Sequence, residues 1–463
     1  MVDDCYIGKL SNDVFLLLLQ TKMATLSEDQ QKAFELVQSG SNVFITGPGG
    51  TGKSHLIRQI VEWAKANEKE VQVCALTGCA ALLLECGAKT VHSWAGIGLA
   101  NGPPAETIKR IGKHKYKSRP WRKVDLLIID EVSMMSRKLF EILDGIGRLA
   151  RKTPQEAFGG IQIVLSGDFY QLPPVGDLDE PDTAAFCFES PIWQDTISAT
   201  IALTTMFRQQ DPAYVKALNE IRVGMLKRSS FDLLCTRVSA TYDGDIKPTM
   251  LMPLRRHADR INKQELDRLG DAEFRTYGMD NVDDRESLTE LQRRTISRTD
   301  PAMVEREYDL LRNNVMADKE VIIKVGSQVM CIANIDMEGP VAIVNGSQGI
   351  VENFVGDLPM VRFKDGQKRI IGYHVWSSEN YPWVGVKQIP LIHAWAITIH
   401  KAQGVTLELA EIDAGHNIFE CGQTYVALSR VKSLDGLHLS AFDPKKIKVN
   451  KKVQRYYASV MES

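Results

Sequence analysis

The stretch that decides the fold is Gly47-Pro48-Gly49-Gly50-Thr51-Gly52-Lys53-Ser54. It follows the apolar run Val43-Phe44-Ile45 and precedes the helix-patterned Leu56-Ile57-Arg58-Gln59-Ile60-Val61. Strand, glycine-rich turn, Lys-Ser and helix is the order that cradles a nucleoside triphosphate such as ATP. The glycines let successive N–H groups and the helix N-terminus point at phosphate oxygens. On this reading Lys53 reaches the β- and γ-phosphates, and the Ser54 hydroxyl ligates Mg²⁺. Just upstream, Leu26-Ser27-Glu28-Asp29-Gln30 opens a helix, with Ser27 as N-cap and Gln30 at the capping-box position. The Gln30 amide would equally suit an adenine edge, since it donates and accepts at once. Its position just ahead of the phosphate loop favours the adenine reading.

Downstream, 71–76, 126–131 and 161–168 read as buried strands alternating with helical stretches. That pattern argues for a doubly wound parallel sheet, with ligands at the carboxyl ends of its strands. Asp130-Glu131 falls at one such end. A carboxylate there is costly without a cation. Asp130 would hold Mg²⁺ and Glu131 would polarise an attacking water. A helix-capping Asp explains only one of the two acids, and phosphate-loop kinases remain open at this point. Gly167-Asp168-Phe169-Tyr170-Gln171-Leu172-Pro173-Pro174-Val175 presents Gln171 on a proline-stiffened segment, where it would sense the γ-phosphate. Phe169 and Tyr170 read equally well as core aromatics.

At 463 residues the chain exceeds one ordinary core, so two or three domains are expected. Apolar and charged fractions of 44% and 25% are those of a soluble globular protein. The eight cysteines lack zinc-site spacing, which points to reduced thiols in an intracellular compartment, nucleus or cytoplasm. The run Val14-Phe15-Leu16-Leu17-Leu18-Leu19 is too short to span a membrane, so 1–24 reads as an N-terminal extension, with Met23 an alternative start. A second α/β region begins near Ile201. Between about 321 and 383 short strands with Gly turns predict a small antiparallel barrel. The α/β pattern resumes at Ile389 and ends in a basic helix, so the barrel is an insertion.

Residues 109–123 hold eight Lys or Arg and no acid, with Tyr116 and Trp121 interleaved. In a chain of net charge −2 this concentration favours phosphate contact over a solvated loop. The basic string 444–449 reads as a nuclear-import signal or as part of the closing structure; the second is preferred.

The strings Leu391-Ile392-His393-Ala394-Trp395-Ala396-Ile397-Thr398-Ile399-His400-Lys401-Ala402-Gln403-Gly404 and Tyr425-Val426-Ala427-Leu428-Ser429-Arg430 carry a family resemblance. With Thr77-Gly78-Cys79-Ala80-Ala81, Val91-His92-Ser93-Trp94 and Val344-Asn345-Gly346-Ser347-Gln348-Gly349, the chain resembles the PIF (petite integration frequency) family of superfamily-one DNA helicases. The resemblance runs from about Leu26 to Tyr457 and departs at Ala402, where the family usually has Ser.

It implies two RecA-like doubly wound domains closing on ATP and Mg²⁺. The first is expected at 25–200 with a small wedge insertion at about 96–110. The second is expected at 201–280 and 386–463, with 281–385 as an inserted subdomain containing an SH3-like barrel. Arg208 and Arg430, which alone would read as surface salt bridges, fall as arginine fingers. Thr77, His92, Ser93, Thr398, His400 and Lys401 fall as contacts to single-stranded DNA. Alone, His92 reads as structural; Trp94 reads as core or base-stacking. The implied activity is 5′-to-3′ translocation with unwinding of forked or structured DNA in replication, recombination or repair. The chain is expected to be a monomer, with replication or repair proteins as partners. RNA unwinding and ATP-gated binding are the alternatives.

Overall fold

Six short apolar strands build the first sheet. They are β1 (Val43–Thr46), β2 (Val71–Ala75), β3 (Lys89–Thr90), β4 (Leu126–Asp130), β5 (Gln162–Ser166) and β6 (Ala199–Ala202). In the computed structural model, which describes residues 26–98, 102–177, 179–242, 244–285, 299–335, 343–378, 381, 383–399, 401–415 and 417–461, their order is β3-β2-β4-β5-β1-β6. Every ladder is parallel. Helices cover both faces, so alternate residues of one strand enter different cores. Phe44, Leu127, Ile129, Ile163 and Leu165 pack with helix Arg137–Arg151. Val43, Ile45, Leu126, Ile128 and Val164 pack with helices Glu28–Gln38 and Lys53–Ala66. The carboxyl ends of β1, β2, β4 and β5 carry the phosphate loop, Thr77, Asp130-Glu131 and the Gln171 segment.

The second α/β unit opens with helices Pro212–Val223 and Arg228–Cys235, whose Tyr214, Leu218, Ile221 and Leu234 share its core, and continues with β7 (Thr249–Met252) and helix Arg255–Arg268. Ten short strands come next: β8 (Phe274–Gly278), β9 (Asp280–Asp283), β10 (Glu320–Lys324), β11 (Gln328–Cys331), β12 (Gln348–Val355), β13 (Leu358–Phe363), β14 (Lys368–Ile370), β15 (His374–Ser377), β16 (Val384–Gln388) and β17 (Leu391–His393). The unit then resumes with β18 (Ala396–Thr398), β19 (Ala410–Ala414) and β20 (Leu437–Phe442), giving a parallel sheet of order β18-β7-β19-β20.

Four expectations change. β6 pairs with β1 through Ala202, and Leu203 N–H donates to the Thr46 carbonyl at 2.8 Å, so the first unit runs past 200. The insertion spans β8 to β17, wider than 281–385. Its described strands form a five-stranded antiparallel sheet β14-β13-β12-β11-β17, a β10-β8 pair and a β15-β16-β9 sheet. Among the described residues these ladders do not close into one barrel. Finally, helix Lys451–Met461 gives its apolar face to the first unit: Val453 and Tyr457 join the core of Phe44, Phe169 and Trp193, while Gln454 reaches the Val223 carbonyl beside the second core. Tyr456 stacks on Phe188 at 4.4 Å, so an aromatic face of the first sheet finds its cover at the far end of the chain.

The 1–24 extension lies outside the described residues, as do 99–101 of the wedge. Helix Pro104–Gly112 of the wedge region packs on helix Arg137–Arg151 with Thr107 and Ile111 buried.

Candidate functional site: a cleft at the phosphate loop

Helix Lys53–Ala66 starts from Gly52 in the left-handed region (φ 78°) with no side chain capping it, which leaves its first N–H groups for an oxyanion. Gly50 also has positive φ (95°), and a Cβ there would lie 2.6 Å from Arg208 Cβ, so only glycine fits. Lys53 Nζ donates to the Gly47 and Pro48 carbonyls at 2.8 and 3.0 Å. Burial lowers the Lys53 pKa, while Asp168, Glu131 and Asp130 oppose that shift. Gln30 completes the expected capping box with Ser27 and is 1% exposed. Its amide also donates to the Thr51 and Gly52 carbonyls at 3.2 and 3.4 Å, bracing the loop.

Asp130 ends β4 and is buried; Glu131 follows with φ 56° and ψ 39°, a conformation rare for a side-chain-bearing residue. Burial raises both carboxyl pKa values, with Asp130 adding to the rise at Glu131 and Lys53 opposing it at both. Gln403, from the second unit, donates its amide to Glu131 Oε2 at 3.1 Å.

Both arginines face the loop. A Cβ on Gly49 would lie 2.9 Å from Arg430 Nη2 and 3.5 Å from Arg208 Nη1. Burial lowers both guanidinium pKa values; for Arg208, neighbouring Arg430 adds to the effect. Two cations desolvated side by side make a site that gains from an anion. The Arg208 backbone is tied to the loop, because its N–H and that of Phe207 donate to the Gly50 carbonyl at 3.3 and 2.9 Å. Its side chain reaches the Ser429 carbonyl of the second unit at 3.1 Å. Arg208 therefore bridges the two units, whereas the sequence placed it in the second. Lys53, Ser54, Glu131, Gln171, Arg208 and Arg430 line one cavity of about 480 Å³. Gln171 lines that cavity, is 4% exposed, and its buried Oε1 has no protein partner.

Among the described residues the DNA candidates are spread over several cavities, and only Thr398 and Lys401 are found lining the same one. Thr77 caps helix Gly78–Leu83 by accepting from Ala80 N–H. His92, its pKa lowered by burial, lines a cavity of about 760 Å³ with Ser136, Lys138 and Val175. Ser93 lines a narrow cleft with Thr90, Asn314 and Ser377. Thr398 accepts from Lys401 N–H at 3.1 Å, and both line a third cavity with Arg255, Asn262 and Lys263. His400 lies outside the described residues. Of the basic run's aromatics, Tyr116 is 72% exposed, but Trp121 is buried and packs 4.5 Å from Trp94. Both tryptophans belong to the core.

Several residues escaped the sequence reading. Gly49 N–H donates to the Tyr425 hydroxyl at 2.9 Å, so the second unit touches the loop directly. Arg222 makes a two-pronged buried pair with Asp168, at 2.9 and 2.8 Å. Gln403 belongs to a string legible only as a family signature, with no role of its own. Only Asp168 carried a signal, an acid at a buried strand end with no local cation.

Comparison with known proteins agrees with this geometry. The PIF1-like helicase family matches residues 25–226. RRM3 of Saccharomyces cerevisiae, an ATP-dependent DNA helicase, is 33% identical over 93% of this chain and 67% of its own length. PIF1 of Emericella nidulans, also an ATP-dependent DNA helicase, is 34% identical, and this chain spans 62% of its length. Pif1 of Bdellovibrio bacteriovorus is 32% identical over 97% of this chain and 95% of its own. The solved Pif1 helicase of Candida albicans is 34% identical with a TM-score of 0.70, covering 95% of this chain and 100% of that one. A Bacteroides Pif1 solved with ADP-AlF4 is 28% identical with a TM-score of 0.78, covering 95% and 98%. Two parallel-sheet units meeting at a phosphate loop, and relatives matched along nearly the whole of this chain, lead to one conclusion: the chain belongs to the PIF1-like helicase family.

Proposed function

We propose that the protein is an ATP-dependent DNA helicase that moves 5′ to 3′ along single-stranded DNA and opens forked or structured duplex. One observation carries this reading: a lysine, an acid, an amide and two arginines from distant segments converge on a single cavity beside the loop. The residues fit ATP, since Lys53, Arg208 and Arg430 line the cavity beside the uncapped start of helix Lys53–Ala66. They also fit Mg²⁺, since Ser54 and Asp130 supply hard oxygen donors. Bound there, the ion would neutralise phosphate charge. Glu131 takes the proton of the attacking water as its oxygen bonds to the γ-phosphorus and the bond to the β-phosphate oxygen breaks, releasing ADP. Its raised pKa suits a proton acceptor. Gln171 orients that water. Lys53, Arg208 and Arg430 stabilise the charge spread over the γ-phosphoryl oxygens. Gln30 holds the loop; its amide oxygen accepts from Ser27 N–H and its nitrogen donates to the Thr51 and Gly52 carbonyls, so the adenine reading would require those bonds to be exchanged.

Because Arg208 and Tyr425 span from the loop to the second unit, nucleotide turnover would alter how the units meet, and with it the grip on DNA. Thr77, His92, Ser93, Thr398, His400 and Lys401 would contact backbone or sugar, which a motor indifferent to sequence requires. The family's work suits replication, recombination and repair inside the cell. Among the described residues no helix is long and apolar enough to cross a membrane.

The test offers duplexes with a 5′ or a 3′ single-stranded tail, DNA or RNA, with ATP and Mg²⁺. Unwinding from the 5′ DNA tail, abolished by Lys53→Ala, is expected. Unwinding only from the 3′ tail rejects the polarity, preference for RNA tails rejects the substrate, and unwinding by Lys53→Ala rejects the mechanism.

A further inference from the structure

Tyr457 is remote in sequence from every residue of the cleft, yet its hydroxyl sits behind it. That oxygen lies 2.6 Å from Thr46 Oγ1 and accepts from Phe169 N–H at 3.2 Å. Thr46 is the last residue of β1, immediately before Gly47; Phe169 stands two residues before Gln171. One oxygen therefore joins the roots of the two segments that supply Lys53 and Gln171. Its ring is fixed as well. Tyr170 stacks on it at 4.9 Å and 10°, and the Arg222 guanidinium lies 4.6 Å from the Tyr170 centroid and 5.6 Å from that of Tyr457. Arg222 is in turn held by Asp168 at the same strand end. Burial keeps the phenol protonated, so it has a proton to share with Thr46.

We infer that Tyr457 is a positioning residue of the ATPase site, holding the phosphate-loop root and the Gln171 segment at a fixed separation. The inference rests on the ATPase reading above. Phenylalanine would fill the same volume and keep the same stack, so packing alone does not call for the hydroxyl. The partners of that hydroxyl are the two segment roots. Without it, Phe169 N–H and the Thr46 hydroxyl lose a buried partner, at the roots of the segments that carry Gln171 and the phosphate loop.

The experiment compares Tyr457→Phe, Thr46→Val and the double variant in the full chain. Loss of one such hydrogen bond is expected to lower kcat for DNA-stimulated ATP hydrolysis by about five-fold, with KM for ATP moving less than about two-fold. The two substitutions should be markedly less than additive in kcat. Amide exchange in nucleotide-free protein should quicken in peptides covering 44–47 and 168–171 on Tyr457→Phe. Unchanged kcat and exchange would overturn the inference. So would a fall in kcat and Tm with a matching rise in KM, the mark of general loosening. If the wild-type protein hydrolyses no ATP, it is the ATPase reading that fails. Exchange then still decides: faster in both peptides supports the tether, unchanged refutes it.

Discussion

Glu131 bears two costs: a left-handed backbone and a half-buried carboxylate beside Asp130. Its raised pKa means that the folded chain holds this proton more tightly than the unfolded chain does. Stability is therefore lost as pH rises above the ordinary glutamate range and Glu131 ionises. On the proposed mechanism the same ionisation creates the proton acceptor, so kcat should rise with pH through that window. Glu131→Gln removes the charge and keeps the shape. It should lower turnover at least about 100-fold while raising Tm by roughly 1–3 °C; steady-state ATPase and a thermal scan check both. A lower Tm would mean that the charge is stabilising. The loop residues and the two acids were legible because each lies in a contiguous string whose chemistry is local. Tyr425, Gln403 and Arg222 were not, because their roles arise from contacts between segments far apart in the chain. Thr77 shows the opposite hazard: its polar group at a strand end serves first as a helix cap.

At the scale of elements, the strands were legible because helices on both faces demand continuous apolar runs. Closure of the barrel was not, because Gly turns reveal antiparallel neighbours while closure depends on register between distant edges. Nor did the amphipathic pattern of helix Lys451–Met461 say which unit it would cover. The joint between helix Pro212–Val223 and the end of β5 is an ion pair, Arg222 with Asp168, whose acid is fully buried. Arg222→Met strands that charge and should cost about 3–5 kcal/mol. Arg222→Met with Asp168→Leu should recover most of it, measured by urea denaturation. Equal loss in the single and double variants would show that the pair contributes through packing alone.

The whole molecule joins its parts at the nucleotide cavity. Val344, Gly346 and Ser347 of the insertion line it beside the loop, together with Gly404 and Thr406 of the second unit. Nucleotide and DNA affinities should therefore be linked reciprocally. ATP-analogue affinity measured with and without single-stranded DNA should change by the same factor as DNA affinity with and without the analogue. The basic run at 109–123 tests the electrostatic part. Replacing Lys113, Lys115 and Lys117 with Ala should flatten the log–log salt dependence of DNA binding by about 2; an unchanged slope would assign the run to solvent.

The returning helix also has a consequence for synthesis. The first sheet is complete in sequence at β6, yet Phe44, Phe169 and Trp193 await Val453 and Tyr457. These emerge from the ribosome roughly 250 residues later, about 12–50 s at ordinary elongation rates. For that interval the nascent amino-terminal unit lacks the cover that helix Lys451–Met461 brings to its aromatic face, and the Tyr457 tether to Thr46 and Phe169 is unmade.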